Sequence, residues 1–500
     1  MNPLCTMSGV RLARMIRERE VSSREVVEAH IERIRRGNPA LNAVVRDRFD
    51  AARQEARSAD ERVRSSAPDD LPPFHGVPCT IKECFALEGM PNTAGLRSRV
   101  GLTAGADATV AARLRRAGAI PLGVTNVSEL CMWMETDNRV YGRTNNPYDP
   151  SRIVGGSSGG EGAIVAAGGS PFGLGSDIGG SIRMPAFFNG VFGHKPTGGL
   201  VPGSGQFPIS HGAALRYLTT GPIARRAEDL WPLLRIMAGP DGIDSGCRAF
   251  DLGDPAAIDL RRLRVLSVET NGRIEVDREL LDAQRKVCGR LARLGAAVEP
   301  AEFPALADSL EIWSSMLSAA GGPSFASRMG GGPEVDPLLE LIRWAFRRSD
   351  HTLPAIGLAA IEKIPRLLGR RRDAFVAEGL ALRDEMATRL GPDGVMLYPS
   401  YPTVAPRHHR PLFPPFRWVY TAILNALELP ATQVPLGLGS EGLPLGVQVA
   451  AAHGNDHLTV AVAVEIERAF GGWAPPVSAV RGSETANCEP RTANRFWVRP

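Results

Sequence analysis

Apolar residues recur along this chain at two spacings, and each spacing predicts a kind of element. Leu12, Met15 and Ile16 form a helical stripe. Ser22-Ser23-Arg24-Glu25 has the spacing of a capping box, and Val26, Val27, His30, Ile31 and Ile34 continue a helix behind it. A third helix is predicted from about 48 to 64. After a Pro-Pro break, Val77, Cys79 and Ile81 alternate, which predicts a strand with Lys82 near its end, on the side opposite those three. Asp107 is expected to cap a helix reaching Ala117, Gly118 to end it, and Ala119–Asn126 to form the next strand. Leu260–Val268 with the helix Glu279–Leu294 makes a further α/β segment, and Val395–Tyr401 and Ala431–Ala451 return to short apolar strands. Strands alternating with helices predict the α/β class, with a mixed or parallel sheet covered by helices.

Two later stretches have a different texture. Leu338, Leu339, Leu341, Ile342, Trp344 and Phe346 form one strongly apolar segment, and Ile356, Leu358, Ile361, Ile364, Leu367 and Leu368 form another, both flanked by arginine. Each can line a pocket or pack as ordinary core. An interfacial role, with Arg343, Arg347 and Arg370–Arg372 against lipid, is the weaker alternative to arginines in water. From Pro475 onward the apolar periodicity disappears, predicting a loosely ordered tail in which Phe496 and Trp497 can dock on the body.

Composition narrows the class. The 500 residues carry a net charge of +4, with acidic and basic residues interleaved, as in Arg17–Glu20. That argues against a nucleic-acid-binding patch. Seven scattered cysteines without a CxxC pair read as reduced thiols of a cytoplasmic protein, and nine histidines show no metal-ligand spacing. No signal-like segment and no run of about 18 apolar residues occurs, so neither secretion by that route nor a membrane span is expected. Lysine is almost absent: only Lys82, Lys195, Lys286 and Lys363 occur among 58 basic residues. A buried lysine can become a neutral base, which arginine cannot.

The candidate chemistry lies in a segment dense in glycine. Residues 155–180 hold eleven glycines, where the chain average gives about three. Gly155–Gly160 reads GGSSGG, which satisfies a GxSxG nucleophile elbow at Ser157, with a helix available from Glu161. A phosphate-cradling loop lacks its GKS/GKT ending, and a plain glycine-rich turn stays open. Downstream, Asp177–Arg183 reads DIGGSIR and places Ser181 after two glycines, whose N–H groups can serve a developing oxyanion. Asp177 and Arg183 also suit a buried structural ion pair.

Together, Lys82 in Gly76–Lys82, GGSSGG at Gly155–Gly160 and the Gly175–Pro185 segment resemble the amidase signature family. GRTNNP at Gly142–Pro147, GHKPT at Gly193–Thr197, GPIARRAEDL from Gly221 and LPLGVQV at Leu443–Val449 extend the resemblance over roughly Ser8–Pro476. Ile178, Glu161, KECF at Lys82–Phe85 and Met184–Pro208 are most similar to the fatty acid amide hydrolases within it, whereas amidotransferase A subunits usually carry DTGGSIR and GGSSGGS.

The resemblance implies an amidase signature fold: one domain over 1–476 with a mixed central sheet covered by helices on both faces. N-terminal helices would occupy about 8–65, the signature core about 74–240, a substrate-pocket region about 300–418, and a tail 477–500. It implies amide hydrolysis with Ser181 as nucleophile, Ser157 as relay behind a cis peptide bond, and Lys82 as base. The N–H groups of Ile178, Gly179, Gly180 and Ser181 would form the oxyanion hole, and Cys131 would line the substrate pocket. The implied partner is a small-molecule amide with an apolar acyl or aryl group, with no metal or organic cofactor; a homodimer is left open. Ester or carbamate hydrolysis at the same site, and an amidotransferase subunit dependent on protein partners, are the alternatives.

Overall fold

A computed structural model of the chain describes residues 1–362, 369–414 and 416–476. Its strands are β1 (Val44–Asp47), β2 (Pro78–Lys82), β3 (Ile120–Thr125), β4 (Phe172–Asp177), β5 (Phe192–Lys195), β6 (Thr219–Ala224), β7 (Arg264–Ser267), β8 (Ala297–Pro300), β9 (Gly394–Tyr398), β10 (Ala431–Leu438) and β11 (Pro444–Ala451). They join in one sheet in the order β1-β3-β2-β4-β6-β5-β10-β11-β9-β7-β8. β2 runs parallel to β3 and β4, β7 runs parallel to β8 and β9, and the other pairings are antiparallel. The sheet is therefore mixed.

Helices cover both faces where the candidate chemistry lies. On β4, Phe172 and Leu174 enter a core shared with Leu12, Ile16, Leu230 and Leu233, from the helices Gly9–Arg17 and Leu230–Met237. Gly173 and Gly175 look the other way, against Glu161 of the helix Gly159–Ala166 and against Ile182. β2 repeats the division. Cys79 and Ile81 join the first core, and Thr80 points oppositely, donating to Glu161 Oε2 at 2.6 Å. All five residues of β2 are buried, as expected of a strand flanked on both sides by parallel neighbours and covered on both faces.

Local signals account for several helix ends. The capping box forms at Ser22 and Glu25, and the helix Ser23–Leu41 stops at Asn42 in the left-handed conformation. The expected cap at Asp107 does not form. The helix there, Thr109–Arg116, starts after Ala108 without a side-chain cap. The Asp107 carboxylate is occupied elsewhere, accepting from the Glu88 N–H and from Arg115, each at 2.8 Å.

The first apolar stretch of the 300–418 region is arranged unlike either expectation. The helix Pro337–Ala345 buries Pro337 and Glu340, while Leu338 (72% exposed), Ile342 and Phe346 face solvent. Glu340 accepts from Ser349 and Arg343, so the helix docks through its carboxylate and turns its apolar side chains outward. Of the second stretch, Ile356 joins a buried cluster, and Ile364, Leu367, Leu368 and the Arg370 side chain lie outside the described residues. So does the tail 477–500, with Phe496 and Trp497. Among the described residues no helix is long and apolar enough to cross a membrane.

Candidate active site

Three backbone segments converge beyond the ends of β2 and β4. β2 delivers Lys82 as its last residue, on the face of Thr80. The 155–158 loop delivers Ser157 through a cis Gly156–Ser157 peptide. β4 runs out through Ser176 and Asp177 into the 178–182 turn, which carries Ser181. The parallel register Thr80↔Gly173 and Ile81↔Leu174 sets the two strand ends side by side.

Lys82 is fully buried, and its Nζ donates to Ser157 Oγ at 2.7 Å and to Ser176 Oγ at 3.0 Å. Ser157 is buried too, and Ser181, 7% exposed, turns toward the cavity. Of the expected trio, Lys82 and Ser157 are in direct contact. Ser181 lines the same cavity, and no hydrogen bond joins its hydroxyl to Ser157 among the described residues.

The 178–182 turn is held from behind. Asp177 and Arg183 form a fully buried ion pair at 3.1 Å, and Arg183 also reaches Asn425, the Thr421 carbonyl and Gln448. Burial opposes the Asp177 charge, but the Arg183 guanidinium overcomes it and holds the carboxyl down at about 2. Trp313 donates to the Ile178 carbonyl at 2.8 Å and Thr421 to the Gly179 carbonyl at 2.9 Å. In a trans peptide the N–H points away from its carbonyl, so the Trp313 contact also orients the Gly179 N–H. Gly180 has φ +113°, and a Cβ there would fall 2.0 Å from Thr421 Oγ1.

One expected oxyanion donor is already engaged: the Gly180 N–H donates to Asp177 Oδ1 at 2.6 Å. The Asp177 carboxylate, set by Arg183, reaches back across the turn to take it. The N–H groups of Ile178, Gly179 and Ser181 have no partner among the described residues.

A buried carboxyl lies beneath Lys82. Glu161 accepts from Thr80 on β2 and from Thr125, the residue paired with Lys82 on β3. Burial pushes its acid up to about 8. Cys131 sits in a left-handed turn (φ +58°) beside the cavity, which it lines together with Ser157 and Ser181.

The cavity above these groups has a volume of about 480 Å³. Ser157, Ser176, Ile178 and Ser181 lie at its floor, and Trp313, Leu317, Phe325, Leu358 and Ile361 belong to its wall. Leu358 and Ile361 come from the second apolar stretch, whereas none of the described residues of the first lines it. No group of three or more His, Cys, Asp or Glu side chains is disposed to hold a metal ion among the described residues.

The sequence model of the family described as Amidase matches residues 25–460. The chain belongs to the amidase signature family. Fatty-acid amide hydrolase 2-B of Danio rerio is 50% identical over 490 residues, covering 95% of this chain and 91% of that protein. Human fatty-acid amide hydrolase 2 is 48% identical over the same shares. The solved structure of 6-aminohexanoate cyclic dimer hydrolase with substrate superposes with a TM-score of 0.80 at 27% identity, covering 95% of this chain and all of that one. The chain is accordingly an amide hydrolase, acting on C–N bonds.

Sequence reasoning missed three residues around this amidase site. Ser176, the second partner of Lys82, had a legible signal, since it ends an apolar strand one residue before DIGGSIR. Trp313 had none, because only the fold brings it to Ile178. Glu161 entered as a marker of resemblance, and its place under Lys82 follows from the helix register after GGSSGG.

Proposed function

We propose that this amidase cleaves amides of long apolar acyl groups through Ser181, with Ser157 as proton relay and Lys82 as base. The observation that carries the reading is the buried Lys82–Ser157 contact of 2.7 Å at the floor of a cavity that Ser181 shares. A serine hydroxyl is a weak nucleophile until a base takes its proton. With the Lys82 amine neutral, the Lys82–Ser157 contact passes the Ser157 proton to Nζ while Ser157 Oγ accepts the proton of Ser181. Ser181 Oγ then attacks the carbonyl carbon.

The oxyanion that forms has three unengaged N–H groups available, those of Ile178, Gly179 and Ser181, in a buried site where such donors act strongly. Collapse breaks the C–N bond, with the proton returned through Ser157 to the departing amine. Water, deprotonated by the same relay, hydrolyses the acyl-enzyme on Ser181. Trp313, Leu317, Phe325, Leu358 and Ile361 favour an apolar acyl chain along the wall. The names of the zebrafish and human relatives support the same class.

The test is a series of primary amides of increasing acyl length on the purified protein, with Ser181→Ala as blank. kcat/KM should rise with chain length, and Leu317→Trp should cut turnover of the longest members most. A preference for acetamide-sized substrates, or equal loss across the series in Leu317→Trp, would contradict the acyl assignment.

A further inference from the structure

We propose that Trp313 is a positioning residue through which the acyl group of the substrate sets the oxyanion hole, a role that rests on the proposed acyl hydrolysis at Ser181. Each of the three unengaged N–H donors of the 178–182 turn belongs to a peptide whose carbonyl is held. Ahead of the Ile178 N–H, the Asp177 carbonyl accepts from Asn425 Nδ2 at 2.8 Å and from the Thr219 hydroxyl at 3.3 Å. Ahead of the Ser181 N–H, the Gly180 carbonyl accepts from the Met184 N–H at 2.7 Å. Ahead of the Gly179 N–H, the Ile178 carbonyl accepts from Trp313 Nε1 at 2.8 Å. Asn425, Thr219 and Met184 are buried and lie outside the cavity lining. Trp313 is half-buried and lines the cavity. Among the described residues, then, Gly179 is the one donor of the three oriented by a side chain that the substrate can touch.

The indole is placed for both tasks. It sits on the helix Ser309–Ala319, whose Ile312 and Met316 join a buried apolar cluster. Its ring meets the Trp418 ring edge-on, with centroids 4.8 Å apart and planes at 79°. Both rings enclose the space above Gly179, where a Cβ would lie 3.6 Å from Trp418 Cζ3 and 3.7 Å from Trp313 Cζ2. A hydrogen bond from the indole to the Ile178 carbonyl polarises that peptide and makes the Gly179 N–H at its other end a stronger donor. Water competing for Nε1–H weakens the bond. An acyl chain lying along Trp313 and Leu317 covers the ring, excludes that water and holds the indole against the turn. A short acyl group leaves the ring wet. The oxyanion forms only as Ser181 Oγ bonds to the carbonyl carbon. A better Gly179 donor therefore stabilises the transition state more than the bound substrate, so a long acyl chain raises kcat as well as lowering KM.

The experiment compares full-length wild type and Trp313→Phe on primary amides of increasing acyl length, with kcat and KM determined separately. The phenyl ring keeps an apolar wall and loses the N–H. In the wild type kcat should rise with acyl length. In Trp313→Phe that rise should flatten, with kcat on the longest amides down roughly 10-fold and KM within about threefold, short of the ~10²–10³ for removing an oxyanion donor outright. A long-chain aldehyde, which adds to the serine and places an oxyanion in the hole, is titrated beside the alcohol of the same chain, which only fills the cavity. Trp313→Phe should weaken the aldehyde roughly 10-fold and leave the alcohol unchanged. Should Trp313→Phe not fold, β-(3-benzothienyl)alanine at position 313, which exchanges only the N–H for sulfur, takes its place. A rise in kcat that survives in the variant, or equal weakening of aldehyde and alcohol, would overturn the proposal. So would a wild-type kcat/KM that rises through KM alone, which leaves the acyl assignment standing. In Ser181→Ala the aldehyde should lose its advantage over the alcohol; an advantage that persists there contradicts the Ser181 assignment, whatever Trp313→Phe shows.

Discussion

At the floor of the cavity, Lys82, Ser157, Asp177 and Arg183 are buried, whereas the 300–418 region, which supplies much of the wall, also carries a helix away from the cavity with its apolar side chains in water. The floor tolerates almost no volume. A Cβ on Gly160 would lie 2.4 Å from the Asn126 nitrogen and 2.7 Å from the Ala43 carbonyl oxygen, backbone atoms that cannot turn aside. The wall is held by side chains instead: Ile312 and Met316 beside Trp313 and Leu317, and Ala355, Ile356 and Ala359 beside Leu358 and Ile361, join buried apolar clusters, and buried polar contacts add to them. Glu129, next in chain to Leu130 and Cys131, accepts from the Thr352 N–H at 2.8 Å and pairs with His351 at 2.6 Å. Chemistry is therefore fixed by close-packed backbone, while substrate fit is set by helices that pack through their side chains.

The largest break in this comparison is at Lys82. Lys82→Arg and Lys82→Ala should each lower kcat/KM by roughly 10²–10⁴-fold, because a guanidinium cannot serve as the base. A Lys82→Arg enzyme close to wild type would remove the base from this position. Next is Gly160→Ala, which should destabilise the protein by about 1–3 kcal/mol through overpacking, read as a lower urea midpoint at unchanged slope.

A smaller effect concerns Glu161. Its folded acid titrates at about 8 against 4.5 in the unfolded chain, so between those values the folded state holds the extra proton. Stability from this group is complete below pH 4.5 and is lost as pH rises through about 8. Glu161→Gln should flatten the fall in thermal midpoint over that window; an unchanged pH slope would contradict the buried, protonated acid. The smallest effect belongs to the outward-facing helix Pro337–Ala345. Leu338→Ser, at a side chain 72% exposed, should leave the urea midpoint within about 0.5 kcal/mol of wild type. A larger loss would mean that the outward face of that helix is covered.

Much of the floor was legible in the sequence because its constraints are local. Alternation placed Lys82 opposite Val77, Cys79 and Ile81, and the glycine-rich loops announced close backbone approach. The scarcity of lysine was a weaker guide, since Lys195 is equally buried, donates to the Pro196 carbonyl at 2.8 Å and lies outside the cavity lining. The 300–418 region was harder to read, for a reason of geometry. Periodicity shows that residues 338–346 have an apolar face but not which face docks, and Glu340 binding Ser349 inverted the expected arrangement. The engaged Gly180 amide was likewise out of reach, because it depends on where Asp177 is held by Arg183.

The central claim is that Ser181, and not the serine of the GxSxG match, attacks the carbonyl. A fluorophosphonate probe, which traps an activated serine as a stable adduct, tests it directly when the labelled peptide is identified by mass. The account predicts the adduct on Ser181 in the wild type, no adduct in Ser181→Ala, and slower labelling at Ser181 in Ser157→Ala. An adduct on Ser157, or undiminished labelling of Ser181→Ala, would contradict it.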